Sequence, residues 1–232
     1  MTKFNSPGDR RCLNFVKVST VGKGINKERI VAAALELLND KGMDALTVRA
    51  LAARLDVRAP ALYWHVRNKQ ELLDEMSTFV MRRVTDALSA VPPDAGWRAN
   101  LADYGRALRT EYLCYRDGAR IFSGTRLSDP DVVKAKEAWL ARFIEAGFTL
   151  ADADDALDVV TAFVVGFVIE EQERVQSEET TPGRYSLAER DAWLGEGADL
   201  VKAAGRLPDD RHTRFGRHLD IVLDGLAARL QH

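Results

Sequence analysis

The sequence predicts an all-α protein, with an N-terminal three-helix DNA-binding domain that contains a helix-turn-helix and a larger C-terminal helical domain. From residue 25 onward, apolar residues recur every three or four positions in nearly every segment, which is the period of a helix with one buried face. Glycine, proline and capping residues separate these segments, and none of them alternates as a strand does. We place the two domains at 25–75 and 76–232, after an arm at 1–24.

The first two helices are each bounded by recognisable caps. One is predicted near Lys27–Lys41, where Asn26 can cap its first turn and Gly42 can end its last. Thr47 is predicted to cap a shorter second helix that runs through Leu55.

The third helix opens near Ala59, with Pro60 in its first turn where a missing N–H costs nothing, and ends at about Val66. Only residues 56–58 separate it from the second helix. So short a turn allows only a tight angular crossing, which is typical of a helix-turn-helix.

The C-terminal domain begins along a fourth helix, from Asn68 to about Ala90, where two prolines stop it. Glu71 is placed to complete a capping box with Asn68. Residues 177–186 are polar and turn-rich, so we expect a mobile loop there. The further predicted helices are Trp97–Tyr115, Asp131–Ala146, Ala153–Gln176, Leu187–Ala204 and Asp209–Leu230.

Composition excludes several classes of protein. Of 232 residues, 46% are hydrophobic and 29% charged, as in ordinary globular chains. The longest apolar run, Ala162–Ile169, is far shorter than the roughly 20 residues of a membrane-spanning helix, so we expect no membrane partner. No secretion signal is recognisable, and Cys12 and Cys114 stand far apart. We therefore expect two free thiols and a cytoplasmic location.

The charge is unevenly distributed along the chain. Residues 1–75 contain 13 Lys and Arg against 9 Asp and Glu, whereas residues 76–232 contain 20 against 26. This favours contact with a polyanion through the N-terminal part alone. The basic arm at 1–24 is predicted to be flexible, and it either makes no contacts or follows the DNA backbone or minor groove.

The third helix is the candidate for reading DNA, because the second helix of such a unit lies in the major groove. Leu62 and Val66 are predicted to face inward. The remaining side chains can contact thymine methyl groups, stack on sugars or donate to phosphate; they are Ala59, Pro60, Ala61, Tyr63, Trp64 and His65. The alternative is that the two aromatic residues are packing residues and the histidine is a surface residue.

Residues 26–75 resemble the DNA-binding domain of the TetR family of bacterial transcriptional repressors. The resemblance rests on LTVRALA at Leu46–Ala52 and LYWHVRNK at Leu62–Lys69. The C-terminal part also resembles this family and is most similar to its tetracycline-repressor branch, at Tyr115–Arg126, Ala146–Phe148 and Val168–Glu173. The resemblance implies binding to double-stranded operator DNA through Thr47, Arg49, Tyr63, His65 and Lys69.

Two departures in this unit limit what the resemblance implies. Ala59 and Ala61 stand where the tetracycline repressor has polar base-reading side chains, so we expect a different operator sequence. Asp56 replaces the usual turn glycine, and Asp can adopt a left-handed conformation at a modest cost.

The resemblance also implies a small-molecule effector in the C-terminal domain. In the tetracycline branch, polar residues and a histidine hold a drug–magnesium chelate; Thr125, Arg126 and Glu170 keep the matching identities. Phe122 replaces the metal-binding histidine, and a phenyl ring cannot coordinate a metal. Other drug-binding positions have also changed, namely Thr85, Tyr104, Leu108 and Trp139. We therefore predict a flat or apolar effector and no metal or cofactor; the alternative is that the aromatic set is simply core.

Two long helices predict a homodimer. Ala153–Gln176 is apolar around most of its circumference, including Phe163 and Phe167, and the last helix has a second stripe with Leu219, Val222 and Leu226. Two such helices from each subunit would form a four-helix bundle with reading heads roughly 34 Å apart on a palindrome. The alternative is that both stripes are covered within one chain.

These observations lead to one main prediction and two alternatives. The main prediction is a repressor that an effector releases from its operator. A constitutive regulator or activator without effector would instead have a pocket filled by its own side chains. An enzyme acting on an apolar molecule is the third possibility, but we expect none: no nucleophile motif is present, and no histidine lies near the pocket residues in the sequence.

Overall fold

The computed structural model describes residues 24–89, 92, 95–208 and 210–231. In this part of the chain it contains eleven α-helices, two short 3-10 turns and no strand, which confirms the all-α prediction. The predicted arm lies outside the described residues, apart from Gly24. None of the described helices is long and apolar enough to cross a membrane.

The N-terminal helices are α1 (Lys27–Lys41), α2 (Val48–Arg54) and α3 (Ala59–Tyr63), with a 3-10 turn at Met43–Ala45 that was not predicted. The predicted caps are confirmed. The Asn26 side chain accepts the Arg29 N–H at 2.9 Å, and the Thr47 hydroxyl accepts the Ala50 N–H at 3.1 Å. Each cap satisfies a donor that has no partner within its helix.

Two features of the helix-turn-helix can be compared directly with the predictions. Asp56 has φ 54°, so the left-handed conformation is confirmed. The expected end of α3 at Val66 is wrong by three residues. The N–H groups of His65 and Val66 both donate to the Leu62 carbonyl at 2.9 Å, which makes a turn where the helix would continue.

The C-terminal part contains eight helices. They are α4 (Lys69–Leu88), α5 (Trp97–Leu113), α6 (Gly118–Phe122), α7 (Pro130–Glu145), α8 (Leu150–Thr180), α9 (Leu187–Leu194), α10 (Asp199–Gly205) and α11 (Arg211–Ala227), followed by a 3-10 turn at Ala228–Gln231. Helices α5, α8 and α11 meet at Gly105, where a Cβ would lie 3.3 Å from side-chain atoms of Leu219 and Val160. Glycine therefore allows the close packing at the centre of this domain.

Three predictions for this part are wrong. Helix α8 continues to Thr180, so only 181–186 of the predicted loop is outside a helix. The single helix expected over Leu187–Ala204 is divided between α9 and α10, because Gly195 and Gly197 both have positive φ, 62° and 80°. The free thiol expected at Cys114 is also wrong, since this residue is disulfide-bonded, and Cys12 lies outside the described residues.

A short junction joins the two parts of the fold. The Asn39 side chain on α1 accepts the Arg116 N–H at 2.9 Å and donates to the Cys114 carbonyl at 3.4 Å. The Met43 N–H donates to the Asp117 carboxylate at 3.3 Å. These bonds tie the first helix and the 3-10 turn after it to the segment between α5 and α6.

Candidate DNA-binding surface and ligand cavity

The position of α3 is fixed by buried side chains and a closed turn. Leu51 on α2 and Leu62 and Val66 at α3 are at most 4% exposed, which confirms that the latter two face inward. In the turn between the helices, the Val57 N–H donates to the Ala52 carbonyl at 3.0 Å. The crossing of α2 and α3 is therefore determined by packing and backbone hydrogen bonds together.

The outer face of α3 is exposed. Tyr63 is 50% exposed and Trp64 is 89% exposed, so neither is a core residue of the described fold. Pro60 is exposed as well, and the half-buried members of the predicted set are Ala59, Ala61 and His65. Such an exposed aromatic pair on one turn is available for contact with a partner.

The predicted contacts on the neighbouring helices, Thr47, Arg49 and Lys69, are all exposed. Several nearby cations already have partners: Lys27 pairs with Glu75 at 2.6 Å, and Arg54 with Asp40 at 2.8 Å. Among described residues, the side chains of Arg49, Arg58 and Lys69 have no such partner. These three positive charges are thus available around the second and third helices.

The start of α4 departs from the predicted capping box in one bond. The Asn68 side chain accepts the Glu71 N–H at 2.9 Å as expected. The Glu71 carboxylate, however, accepts the N–H of Arg67 at 2.7 Å rather than that of Asn68, and it also contacts the Arg67 guanidinium at 3.1 Å. The hydrogen bond from this backbone N–H lowers the pKa of Glu71.

A cavity of about 340 Å³ lies among α4, α5, α7 and α8. Three predicted ligand-binding residues line it: Thr85, Tyr104 and Trp139. The rings of Tyr104 and Trp139 meet edge-on, with centroids 5.9 Å apart. Most other lining residues are apolar, namely Met81, Val84, Leu88, Leu127, Val132, Val133, Ala135 and Leu157.

The polar groups of the cavity include three that were not predicted to bind the ligand: Lys136, Asp158 and Thr161. The Tyr104 hydroxyl lies 2.8 Å from that of Thr161, which donates to the Leu157 carbonyl, so Tyr104 is the donor of the pair. Burial raises the pKa of Tyr104 and keeps its phenol neutral. Lys136 pairs with Asp154. The three-residue spacing of Asp158 and Thr161, which puts them on one face of α8, is the only sequence signal that could have connected two of them.

The other predicted ligand-binding residues do not line this cavity. Leu108 is fully buried, and Phe122 is buried with its ring 5.4 Å from that of Tyr115. Thr125 donates to the Phe122 carbonyl at 2.8 Å, and Arg126 lies in the segment that follows. Glu170 lies in a separate groove between α8 and α11, which Phe163, Phe167, Arg174, Arg211 and His218 also line. The predicted ligand-binding residues therefore do not form one site: some line the cavity, some are buried in the core, and Glu170 lies in the separate groove.

The segment 126–129 connects the cavity to α4. The Arg126 N–H donates to the Asp74 carboxylate at 3.0 Å, and the Ser128 N–H donates to the Thr78 hydroxyl at 2.8 Å. Between them, Leu127 lines the cavity. Helix α4 itself contributes Thr85 to the cavity, while its first residue follows the helix-turn-helix. One rigid element thus belongs to both candidate sites.

The predicted dimer residues divide between the interior and the surface. Leu219 and Leu226 are buried within the single chain, at 1% and 9% exposure, because the apolar stripe of α11 faces α5 and α8. Val222, Phe163 and Phe167 are half-buried. Ile221 on α11, which was not predicted, is 68% exposed, and Val159 on α8 is 46% exposed. The exposed apolar side chains, Val159 and Ile221, are therefore not members of the set that was predicted to form the dimer interface.

No group of three or more metal-ligating side chains occurs within the described ranges. Phe122 offers only an apolar ring, which is buried against Tyr112 and Tyr115, and the lining of the cavity consists mainly of hydrocarbon. The arrangement suits the burial of an apolar or aromatic molecule with a few oriented polar groups.

Two family models match the chain. Residues 30–76 match bacterial regulatory proteins of the tetR family, and residues 90–230 match the tetracyclin repressor-like C-terminal domain. The class A tetracycline repressor of Escherichia coli is 40% identical over 201 residues, covering 86% of this chain and 89% of that protein.

Solved structures of similar fold include proteins with bound ligands. ActR of Streptomyces coelicolor in complex with actinorhodin has a TM-score of 0.75 and 30% identity, covering 89% of this chain and 97% of that one. A TetR variant of Acinetobacter baumannii in complex with minocycline has a TM-score of 0.68 and 33% identity, covering 88% and 98%.

Proposed function

Because the chain belongs to the TetR family of transcriptional regulators, we propose that it is a homodimeric repressor that a small aromatic or apolar effector releases from a palindromic operator without the help of a metal. The observation that carries the proposal is the double role of α4. This helix begins directly after α1–α3, the proposed DNA-reading unit, and supplies one wall of the cavity.

The DNA-binding part of the proposal is supported by the chemistry of the exposed surface. Tyr63 and Trp64 face solvent, and the cations at Arg49 and Lys69 have no acidic partner in the described part of the chain. Aromatic and methyl groups suit contacts with bases and sugars, and unpaired cations suit contacts with phosphate.

The nature of the effector follows from the cavity. A volume of about 340 Å³ with mainly apolar walls suits a flat organic molecule, and the edge-on Tyr104–Trp139 pair suits an aromatic one. Lys136 and Asp158 provide charged groups that can orient it. Two proteins of similar fold were solved with small molecules bound, one with minocycline and the other with actinorhodin.

Release is proposed to act through the segment 126–129. An effector that presses on Leu127 and Thr85 shifts the segment and α4 together, because Asp74 and Thr78 are hydrogen-bonded to it. In a dimer, a shift of both α4 helices changes the distance between the two reading units. Such coupling between sites is typically 1 to 3 kcal/mol.

Homodimer formation is supported by the apolar surface left beside the buried stripe. Val159 and Ile221 are exposed on α8 and α11, next to the groove that contains Phe163 and Phe167. Association of these two helices with their copies in a second subunit would cover this surface and give a two-fold pair of reading units.

The two alternatives are less well supported. A constitutive regulator would have its pocket filled by its own side chains, whereas this cavity is open. An enzyme would need a nucleophile or an acid–base pair, and no histidine or cysteine is among the residues that line the cavity.

The proposal is tested by selecting bound sequences from a random duplex pool with the purified protein, and repeating the selection with a panel of aromatic compounds. We expect a palindrome with half-sites about one helical turn apart, and we expect one class of compound to prevent its recovery. Recovery of no preferred sequence at moderate salt would contradict the assignment of α3 as the reading helix.

A further inference from the structure

We propose that Arg58, immediately before α3, reads a guanine in the major groove of each half-site. The proposal rests on the proposed function, since it requires α3 to lie in the groove. No resemblance pointed to this residue. Three observations support it: its position, the pairing of the neighbouring arginines and the small side chains that follow it.

The backbone around Arg58 is held in place while its side chain is exposed. The turn is closed by the Val57 N–H at the Ala52 carbonyl, and the Arg58 carbonyl accepts the Ala61 N–H at 2.9 Å. In a helix-turn-helix, the N-terminal residues of the second helix contact base edges. The backbone at Arg58 is therefore fixed by hydrogen bonds, while its long side chain projects into solvent from the start of the reading helix.

The pairing of charges distinguishes Arg58 from Arg54 and Arg67. Arg54 is engaged by Asp40 and Glu36, and Arg67 by Glu71. The side chain of Arg58 has no hydrogen bond or ion pair with any residue that the structure describes. It therefore reaches a base without first breaking an internal contact, which the two paired arginines would have to do.

The small residues that follow Arg58 cannot themselves form hydrogen bonds to bases through their side chains. Ala59 and Ala61 carry only methyl groups, which can contact thymine methyls but cannot donate or accept. They are also small, so the first turn of α3 can approach the floor of the groove closely. Arginine forms two parallel hydrogen bonds to the O6 and N7 atoms of guanine, and no other base pair presents this pair of acceptors in the same place.

The experiment compares the wild-type protein with Arg58→Ala, Arg58→Lys and two controls. Arg67→Ala removes an arginine that is already paired, and Arg49→Ala removes the other unpaired arginine of the unit. Each protein is put through selection on random duplexes. Fluorescence anisotropy then measures the affinity of each protein for the palindrome that the wild-type protein selects. It also measures the affinity for variants of this palindrome in which one base pair is changed in both half-sites. Each measurement is repeated at several salt concentrations.

The expected result is a G·C pair at one symmetric position that the wild-type protein requires and Arg58→Ala does not. Affinity for the unchanged palindrome falls about 5- to 150-fold per half-site, as for the loss of one bidentate base contact. Arg58→Lys keeps the positive charge but cannot form the two parallel hydrogen bonds of arginine. Its binding should therefore show the wild-type salt dependence without the preference for the G·C pair. Arg67→Ala keeps the preference.

Three outcomes would overturn the assignment. A loss of affinity that is equal for all sequences, with a smaller salt slope, would mean a phosphate contact. An unchanged preference in Arg58→Ala would mean no base contact, and loss of the same preference in Arg49→Ala alone would place the reading there. If the wild-type protein selects no sequence at all, the proposed function itself fails. Matching circular dichroism spectra and melting curves would show that the variants are folded.

Discussion

The Thr78 hydroxyl on α4 accepts the backbone N–H of Ser128 at 2.8 Å and donates to the Asp74 carbonyl at 2.8 Å. This single side chain therefore joins the helix that leaves the reading unit to the segment that borders the cavity. Leu127, the neighbour of Ser128, lines the cavity directly. The relationship gives a physical route by which an occupied cavity changes the position of α4.

Replacing Thr78 with valine should weaken this coupling. Valine has nearly the same shape but cannot accept the Ser128 N–H, so one of the contacts that hold the segment to α4 is lost, while that of Arg126 with Asp74 remains. We expect effector binding to persist in calorimetry, while the effector-induced loss of operator affinity in anisotropy falls several-fold, within the usual 5- to 150-fold range of coupling. Thr110→Val, which removes a hydroxyl bonded only within α5, should leave it unchanged. Equal coupling in wild type and Thr78→Val would contradict the route.

Replacing Trp139 with alanine should weaken effector binding. The substitution removes the ring that meets Tyr104 across the cavity, and we expect the dissociation constant of the effector to rise about tenfold or more. Operator affinity without effector should stay the same, because Trp139 lies on α7, which contributes no residue to the candidate DNA-binding surface. Trp193→Ala, at a tryptophan that does not line the cavity, is the matched control. Undiminished effector binding by the Trp139 variant would place the site elsewhere.

Replacing Leu62 with alanine should destabilise the reading unit. Leu62 is fully buried, and loss of a leucine side chain from a packed core costs about 2 to 5 kcal/mol. Urea unfolding followed by circular dichroism measures the change. Leu200→Ala on α10, where the side chain is 87% exposed, should change stability by less than about 0.5 kcal/mol. Similar values for both variants would show that α3 is not packed as described.

Acid should remove a stabilising contact at the start of α4. The lowered pKa of Glu71 means that its ionised form is favoured by folding, so the contribution is present above the ordinary glutamate pKa and is lost as pH falls through the lowered one. The melting temperature of wild type should exceed that of Glu71→Gln near neutral pH, and the difference should shrink below about pH 4. A difference that stays constant with pH would rule out this role of the Glu71 carboxylate.

Local sequence signals predicted the N-terminal helices well. The caps at Asn26 and Thr47 and the left-handed Asp56 each depend on the chemistry of one residue and its immediate neighbours. The five-residue α6 was missed, because it is too short to show a period. It depends on Gly118, where a Cβ would lie 2.3 Å from the Tyr112 carbonyl oxygen, and that contact exists only in the folded chain.

The candidate sites were harder to predict than the helices. Periodicity identified an apolar stripe on α11, but it did not show that Leu219 and Leu226 would be covered by α5 and α8 while Ile221 stayed exposed. The matching position of Phe122 likewise did not reveal that its ring packs against Tyr112 and Tyr115. Both outcomes depend on how helices distant in sequence are arranged around each other.

The central claim is that an effector releases the protein from DNA without a metal. The most direct test follows the fluorescence anisotropy of the labelled operator bound to the protein while the compound that released it in the selection is titrated in. The titration is performed once with magnesium and once with EDTA. We predict the same release curve in both, since the walls of the cavity are mainly hydrocarbon and the ring of Phe122 cannot coordinate a metal. Release that occurs only with magnesium, or an operator complex that no compound in the panel dissociates, would contradict the account.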